Sequence, residues 1–132
     1  MSSPERSYFE DVREWHKAFG IPAPEHLIDR LPADRVALRK TLVGEEYAEL
    51  MEAMDANDLI EIADACADLV VTVLGTAVEY GIPFDAVWEE VHRTNLAKRG
   101  ADGEVIRRAD GKIMKPPDWQ PPDIANVIQR QA

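Results

Sequence analysis

TLVGEEYAELMEAMDANDLIEIADACADLVVTVLGTAVEY, residues 41–80, is the stretch from which the fold is read. In its first half Val43, Tyr47, Leu50, Met51 and Met54 recur at helical spacing. In its second half Leu59, Ile62, Ala63, Leu69, Val70, Val73, Leu74 and Ala77 do the same over a broader face. Asp55-Ala56-Asn57-Asp58 separates them, with Asp58 placed to cap the second run. So short a connection makes the two helices antiparallel neighbours.

Charge in this region is one-sided. From Thr41 to His92 the chain runs 52 residues with thirteen carboxylates and no Lys or Arg. Solvated helices usually interleave signs, because an opposite charge four residues away contributes roughly 0.2–0.5 kcal/mol. Two carboxylates about 4 Å apart repel by ~4 kcal/mol at an effective dielectric near 20, so a cluster takes up protons or binds a cation.

Outward from this core, Ser3-Pro4-Glu5 reads as a helix start. Phe9, Val12, Trp15 and Phe19 then continue a first helix of about four turns, closed by Gly20. Pro22, Pro24 and Pro32 mark a crossing loop, and Asp34 is placed to cap the second helix. Gly81 closes the third. Pro83 opens a fourth with Phe84, Val87, Trp88, Val91 and Leu96, ending near Gly100. Val105-Ile106 and Ile113-Met114 flank an Ala109-Asp110-Gly111-Lys112 turn, a hairpin signal. A short helix from Asp123 through Ile128 follows a proline-rich stretch. The expectation is an all-α single domain over 1–132: a four-helix bundle with its helical core at about 4–100, then a basic C-terminal segment, 101–132, carrying a short hairpin or irregular structure.

Composition narrows the function classes. A net charge of -10 disfavours nucleic-acid or anionic-membrane binding through the surface as a whole. No apolar leader and no run near 18 apolar residues occurs, which predicts a soluble, cytoplasmic protein. Cys66 is alone, so neither an intramolecular disulfide nor a thiolate zinc site is available within one chain. Between Arg93 and Lys115 there are seven Lys or Arg against three acids. An acidic site and a basic segment together suit a polyphosphate ligand with its metal.

At 100° per residue, Glu61, Asp64, Asp68, Thr72, Gly75 and Glu79 fall within roughly 80° of one another on the third helix. Glu46 and Glu49 border the apolar face of the second, whereas Glu45 and Glu52 point outward. Antiparallel packing brings the 46/49 pair against the 64/68 pair. An all-oxygen site of that kind suits Mg²⁺ or Mn²⁺. The competing reading is a solvated acidic face.

Gly44-Glu45-Glu46-Tyr47-Ala48-Glu49 resembles the EExxE element of the all-α nucleotide pyrophosphohydrolases, the superfamily of MazG, dimeric dUTPases and phosphoribosyl-ATP pyrophosphohydrolase. The stretch from Ala67 to Ala77 is similar to that superfamily's second metal-binding helix. Glu90-Val91-His92-Arg93-Thr94-Asn95-Leu96-Ala97-Lys98, then Arg108-Ala109-Asp110-Gly111-Lys112 and Lys115-Pro116, resemble the MazG-like subgroup with dUTPase activity. The likeness runs from about residue 9 to 128. One departure stands out: the family's ExxD element, aligned on Asp68, places Ala65 where a Glu belongs, while a literal ExxD occurs one turn earlier as Glu61 to Asp64.

The resemblance implies hydrolysis of a nucleoside triphosphate, dUTP or a related deoxynucleotide, to the monophosphate and pyrophosphate. It assigns Glu46, Glu49, Asp64 and Asp68 as metal ligands, with Asp64 replacing the missing Glu and Glu61 in an outer role. Glu45 or Glu49 orients or deprotonates the attacking water. Asn95, Lys98, Arg108, Lys112 and Lys115 are the implied phosphate and nucleotide contacts, and Trp15 and His16 could line a base pocket. A homodimer is implied as well, with a tetramer as the alternative. Two rivals come from the residues themselves. One is a non-catalytic acidic helical interaction module. The other is a di-iron carboxylate bundle, for which Glu89-Glu90-Val91-His92 supplies one Glu-x-x-His where two are needed.

Overall fold

The computed structural model describes residues 5–131, whose five helices leave no regular strand among them: α1 (Tyr8–Ala18), α2 (Ala33–Asp55), α3 (Leu59–Glu79), α4 (Phe84–Leu96) and α5 (Ile124–Gln131). The all-α class expected from the sequence is the class observed. The chain divides into two compact units, Met1–Phe84 and Asp85–Ala132.

In the first unit, Ser7 caps α1 by accepting the Glu10 N–H at 3.1 Å, and Phe19 closes it. Ser3 and Pro4 lie outside the described residues, and the 11-residue helix is one turn shorter than expected. α2 starts one residue before Asp34: Pro32 takes the cap position without a side-chain bond, and its carbonyl accepts from Arg35 and Val36. Asp34 instead sits in the first turn, where a carboxylate complements the helix dipole. Asp58 caps α3 as its position suggested, accepting from Glu61 N–H at 3.2 Å. Gly81 ends that helix at φ +66, and a Cβ there would stand 2.1 Å from the His26 carbonyl oxygen. Only glycine meets both demands.

The core of this unit joins α1 to α3. Phe9 and Val12 pack on Leu74, Ala77 and Val78, with Ala23, Val71, Ile82 and Phe84 completing the cluster. The rings of Phe9 and Phe84 stack at 5.7 Å. α2 contributes differently. Its buried residues are Arg39 and Ala53, while Tyr47 and Met54, read from the sequence as members of its apolar face, are about half exposed. The reason is that the part of α2 enclosed most fully carries Arg39 and Ala53, while Val43, Leu50 and Met51 of the expected face are half-buried.

Arg39 belongs to a buried ion group. Glu79 is 1% exposed and accepts from Arg35 Nε and Nη2 at 2.9 and 2.8 Å and from Arg39 Nη1 at 3.1 Å. Arg39 also donates to the Thr72 carbonyl at 2.8 Å and to Thr76 Oγ1 at 3.2 Å. His16 from α1, with no exposed surface, donates from Nδ1 to the Pro22 carbonyl at 3.0 Å. Gly75 makes room for both: a Cβ there would lie 2.7 Å from Arg39 Nη2 and 2.9 Å from His16 Nε2. Gly75→Ala is therefore expected to cost about 1–3 kcal/mol by overpacking, despite the better helix propensity of Ala, and a denaturant titration would measure it. A variant as stable as the parent would show that the guanidinium shifts at no cost.

In the second unit, an Arg108–Gly111 turn with Gly111 at φ +91 closes a two-residue bridge between Arg107 and Ile113. The expected hairpin is thus present as an isolated bridge, its turn one residue earlier than read. Only Gly111 takes a positive φ there; Asp110 instead accepts the Lys112 N–H at 3.2 Å. Asp123 caps α5, accepting from Asn126 at 3.2 Å. Glu90 ties α4 to that cap, accepting from Arg93 Nε and Nη2, both at 2.9 Å, and from the Asp123 N–H at 2.8 Å. These donors hold its carboxyl at about 2, well below the usual value of 4.5. A depressed carboxyl contributes stability that is present above the unfolded pKa and lost as pH falls toward the folded one. The parent should therefore lose stability between about pH 5 and pH 2. Glu90→Gln should be less stable at pH 7 and flatter across that window in thermal melts; identical profiles would show that the tie contributes nothing.

Candidate active site

The seam between α2 and α3 carries charged side chains at several levels, and the antiparallel register divides them by sign. At the N-terminal end of α2 its cations, Arg35 and Arg39, meet Glu79. Two turns further along α2 no cation is available, and carboxylate meets carboxylate. Glu46 and Glu49 of α2 and Asp68 of α3 each offer an oxygen within 4.8 Å of the others. Among the described residues this is the one group of three or more acids, histidines or cysteines so closely placed.

The electrostatics follow. Burial raises the pKa of Glu46 above the usual carboxylate value, and the repulsion of Glu49, Asp68 and Glu45 adds to the shift. Glu46 Oε2 is inaccessible to solvent and has no hydrogen-bond partner. A buried acceptor without a donor, within reach of two further carboxylates, fits a hard cation as the missing partner. Mg²⁺ or Mn²⁺ matches the all-oxygen donor set.

Asp64 and Glu61, read from the sequence as replacement and outer ligand, stand outside the three-carboxylate group. They line an adjoining cleft of about 270 Å³ together with Glu49, Glu52, Asp58 and Ala65. Ala65 is 4% exposed, so the position left short of a carboxylate is where α3 lies against α2. Glu49 is common to the cluster and the cleft. Glu45 is exposed.

A family model for phosphoribosyl-ATP pyrophosphohydrolase matches residues 12–95, taking in α1 from Val12 onward, the whole α2–α3 seam and most of α4. The chain belongs to the phosphoribosyl-ATP pyrophosphohydrolase family. The uncharacterized protein L479 of Acanthamoeba polyphaga mimivirus is 36% identical over 87 residues, which are 64% of this chain and 35% of that protein. The chain thus spans about a third of the length of this curated relative. In the pyrophosphohydrolase family match, all three clustered carboxylates lie inside the matched span, whereas Lys98 and everything after it lie beyond it.

Of the remaining candidates, Trp15 and His16 lie in the first unit and Asn95, Lys98, Arg108, Lys112 and Lys115 in the second. Trp15 is 44% exposed on α1, edge-on to the ring of His16, and His16 itself is enclosed in the interior rather than lining a base pocket. Asn95 is exposed near the end of α4. Arg108 is engaged by Asp110 through two bonds of 2.9 and 2.6 Å. Lys112 is exposed, while Lys98 and Lys115 both lie over the ring of Trp119.

Two features escaped the sequence reading. Arg35 and Arg39 precede the acidic run by a few residues, yet they neutralise Glu79 inside it; their four-residue spacing opposite Thr72, Gly75 and Glu79 was the available signal. Trp119, amid prolines, gave no periodic cue. No helix among the described residues is long and apolar enough to cross a membrane.

Proposed function

We propose that this chain is a Mg²⁺-dependent nucleoside triphosphate pyrophosphohydrolase that converts dUTP, or a related deoxynucleoside triphosphate, to the monophosphate and pyrophosphate. One observation carries the reading: Glu46, Glu49 and Asp68 converge within 4.8 Å from facing helices, one of them with a buried, unpartnered oxygen. These three residues would hold the cation. When bound, it would supply neutralisation of phosphoryl charge and a lowered pKa for water. Glu45, exposed beside the cluster, would accept the proton of the attacking water, with Glu49 as the alternative. Water oxygen bonds to the α-phosphorus, the α–β bridging bond breaks, and pyrophosphate leaves. Asn95, Lys98, Arg108, Lys112 and Lys115 are the proposed contacts for the phosphates and nucleotide.

A second substrate, phosphoribosyl-ATP, is favoured by the family match itself. The chemistry at phosphorus is the same. Incubation of the protein with dUTP, the other deoxynucleoside triphosphates and phosphoribosyl-ATP, with and without Mg²⁺, followed by phosphorus NMR, separates the two. Monophosphate plus pyrophosphate from dUTP supports the first reading, and turnover confined to phosphoribosyl-ATP replaces it with the second. Orthophosphate as first product, or no Mg²⁺ dependence, defeats both.

A homodimer belongs to the same proposal. Leu38, Tyr47 and Met54 on α2 and Leu59, Ile60, Val70 and Val73 on α3 are between 40% and 79% exposed. So much aliphatic surface on two packed helices is suited to a second copy of the chain. Sedimentation equilibrium would read the stoichiometry, and a monomer at micromolar concentration would refute it.

A further inference from the structure

Trp119 lies in the irregular segment between the bridge and α5, outside the family match, and has no counterpart among the sequence-derived site residues. Its indole Nε1 donates to the Thr94 carbonyl at 2.7 Å, and Thr94 is itself 1% exposed at the end of α4. The ring is therefore pinned to the helix rather than free in solvent. Lys98 and Lys115 bring their ammonium groups over this one ring, at 5.6 and 5.0 Å from its centroid. They come from opposite sides of the hairpin turn, so the indole is what gathers them.

Two ammonium groups gathered at one ring concentrate positive charge in an acidic chain. In a chain with a net charge of -10, the salt bridges of the described residues engage Arg6, Arg13, Lys17, Arg35, Arg39, Arg93 and Arg108 with carboxylates. Neither lysine over Trp119 is among them. The ring attracts each cation. It leaves the donor protons of both ammoniums available, because a π face accepts no more than part of them.

We propose that Trp119 is a positioning residue: it holds Lys98 and Lys115 as a paired ammonium clamp for a phosphate chain. This rests on the pyrophosphohydrolase reading for its purpose but not for its test. Two point charges on one rigid platform suit the adjacent phosphates of a diphosphate or triphosphate better than a single carboxylate. Pyrophosphate is the minimal ligand of that class.

The test uses the full chain carrying Trp15→Phe and Trp88→Phe, so that Trp119 alone emits, titrated with pyrophosphate in metal-free buffer with chelator. A protein of net charge -10 repels polyanions in general, so a saturable response reports a local cationic site. The emission of Trp119 is expected to change with pyrophosphate, and Lys98→Gln or Lys115→Gln to weaken binding about tenfold each. Isothermal calorimetry on the parent chain gives the same affinity free of the Phe substitutions. Trp119→Leu, which keeps apolar volume but loses the aromatic face, should weaken pyrophosphate about as much. Trp119→Phe, which keeps an aromatic face but loses the bond to Thr94, should restore part of the affinity. A silent Trp119 with no heat of binding overturns the proposal, as does binding that both lysine variants retain. Equal loss in Trp119→Leu and Trp119→Phe assigns the residue to packing and also overturns it. Hydrolysis with a silent Trp119 removes the clamp alone; a responding Trp119 with no hydrolysis removes the enzymatic reading alone.

Discussion

Glu46→Gln, Glu49→Gln and Asp68→Asn are each expected to lower turnover of the nucleoside triphosphate by about a hundredfold or more. Removing even a partner of a metal ligand commonly costs 10–100-fold, and these three oxygens form the cluster itself. Asp64→Asn and Glu61→Gln should cost less, about tenfold or below, because both residues line the adjoining cleft and stand outside the cluster. The contrast matters, since spacing along the helix had placed Asp64 on a level with Asp68. Stability without metal moves the other way. Burial and the repulsion of Glu49 and Asp68 oppose the ionised form of Glu46, so Glu46→Gln should melt at or above the parent temperature. The sign is that of a raised carboxyl: the folded state binds the proton more readily, so metal-free stability falls as pH rises through the raised pKa. Added Mg²⁺ should reverse the order. The parent gains RT ln(1 + [Mg²⁺]/Kd), about 2.7 kcal/mol at a hundred times Kd, and the variants gain less. Parent-like activity in all five variants would return the acidic stripe to a solvated face. Asp64→Asn as inactive as Asp68→Asn would show that the ligand set extends into the cleft.

Glu79→Ala is expected to be the most damaging change to stability, at about 3–5 kcal/mol. Its side chain is wholly enclosed and answers Arg35 and Arg39, so truncation strands the Arg39 guanidinium, 7% exposed, with an uncompensated charge. Arg35 is more accessible and recovers part of its loss by turning to water. For a chain of this size the melting temperature should fall by on the order of 10–20 °C. Calorimetry would measure it. The companion variant Glu79→Leu with Arg39→Met removes both buried charges at similar volume and should recover most of the loss, because an ion pair replaced as a unit is often close to neutral. If Glu79→Ala melts within about two degrees of the parent, water reaches the triad and the seam is not dry at that end.

Much of the architecture was legible in the chain. The breaks at Gly20, at Asp55 to Asp58, at Gly81 and at Pro83 all fall where helices end or begin, because capping and positive φ are properties of a few neighbouring residues. Where local reading failed, it failed by about a turn or less: Asp34 yielded the cap to Pro32, and α1 starts at Tyr8. The face of each helix was harder to read. Periodicity placed Tyr47 and Met54 in the interior, but an apolar stripe says only that a face can be buried and not what within the chain covers it.

Sequence alone determined the all-α class, the pairing of α2 with α3 through a three-residue link, and the presence of carboxylates on both facing edges. Each depends on spacing along a helix or on a short connection. The tertiary structure decided which of those carboxylates meet. Helical projection treats Asp64 and Asp68 as equivalent members of one stripe. The register of two antiparallel helices does not: it sets Asp68 against Glu46 and Glu49, leaves Asp64 in the cleft, and places Glu79 against Arg35 and Arg39. A shift of one turn along a helix moves a side chain by about 5 Å, enough to exchange repulsion for an ion pair. The division of the seam's charges into a neutralised half and an anionic half is therefore a property of the packing, and the sequence carries it only through the pairing of residues some 20 to 44 positions apart.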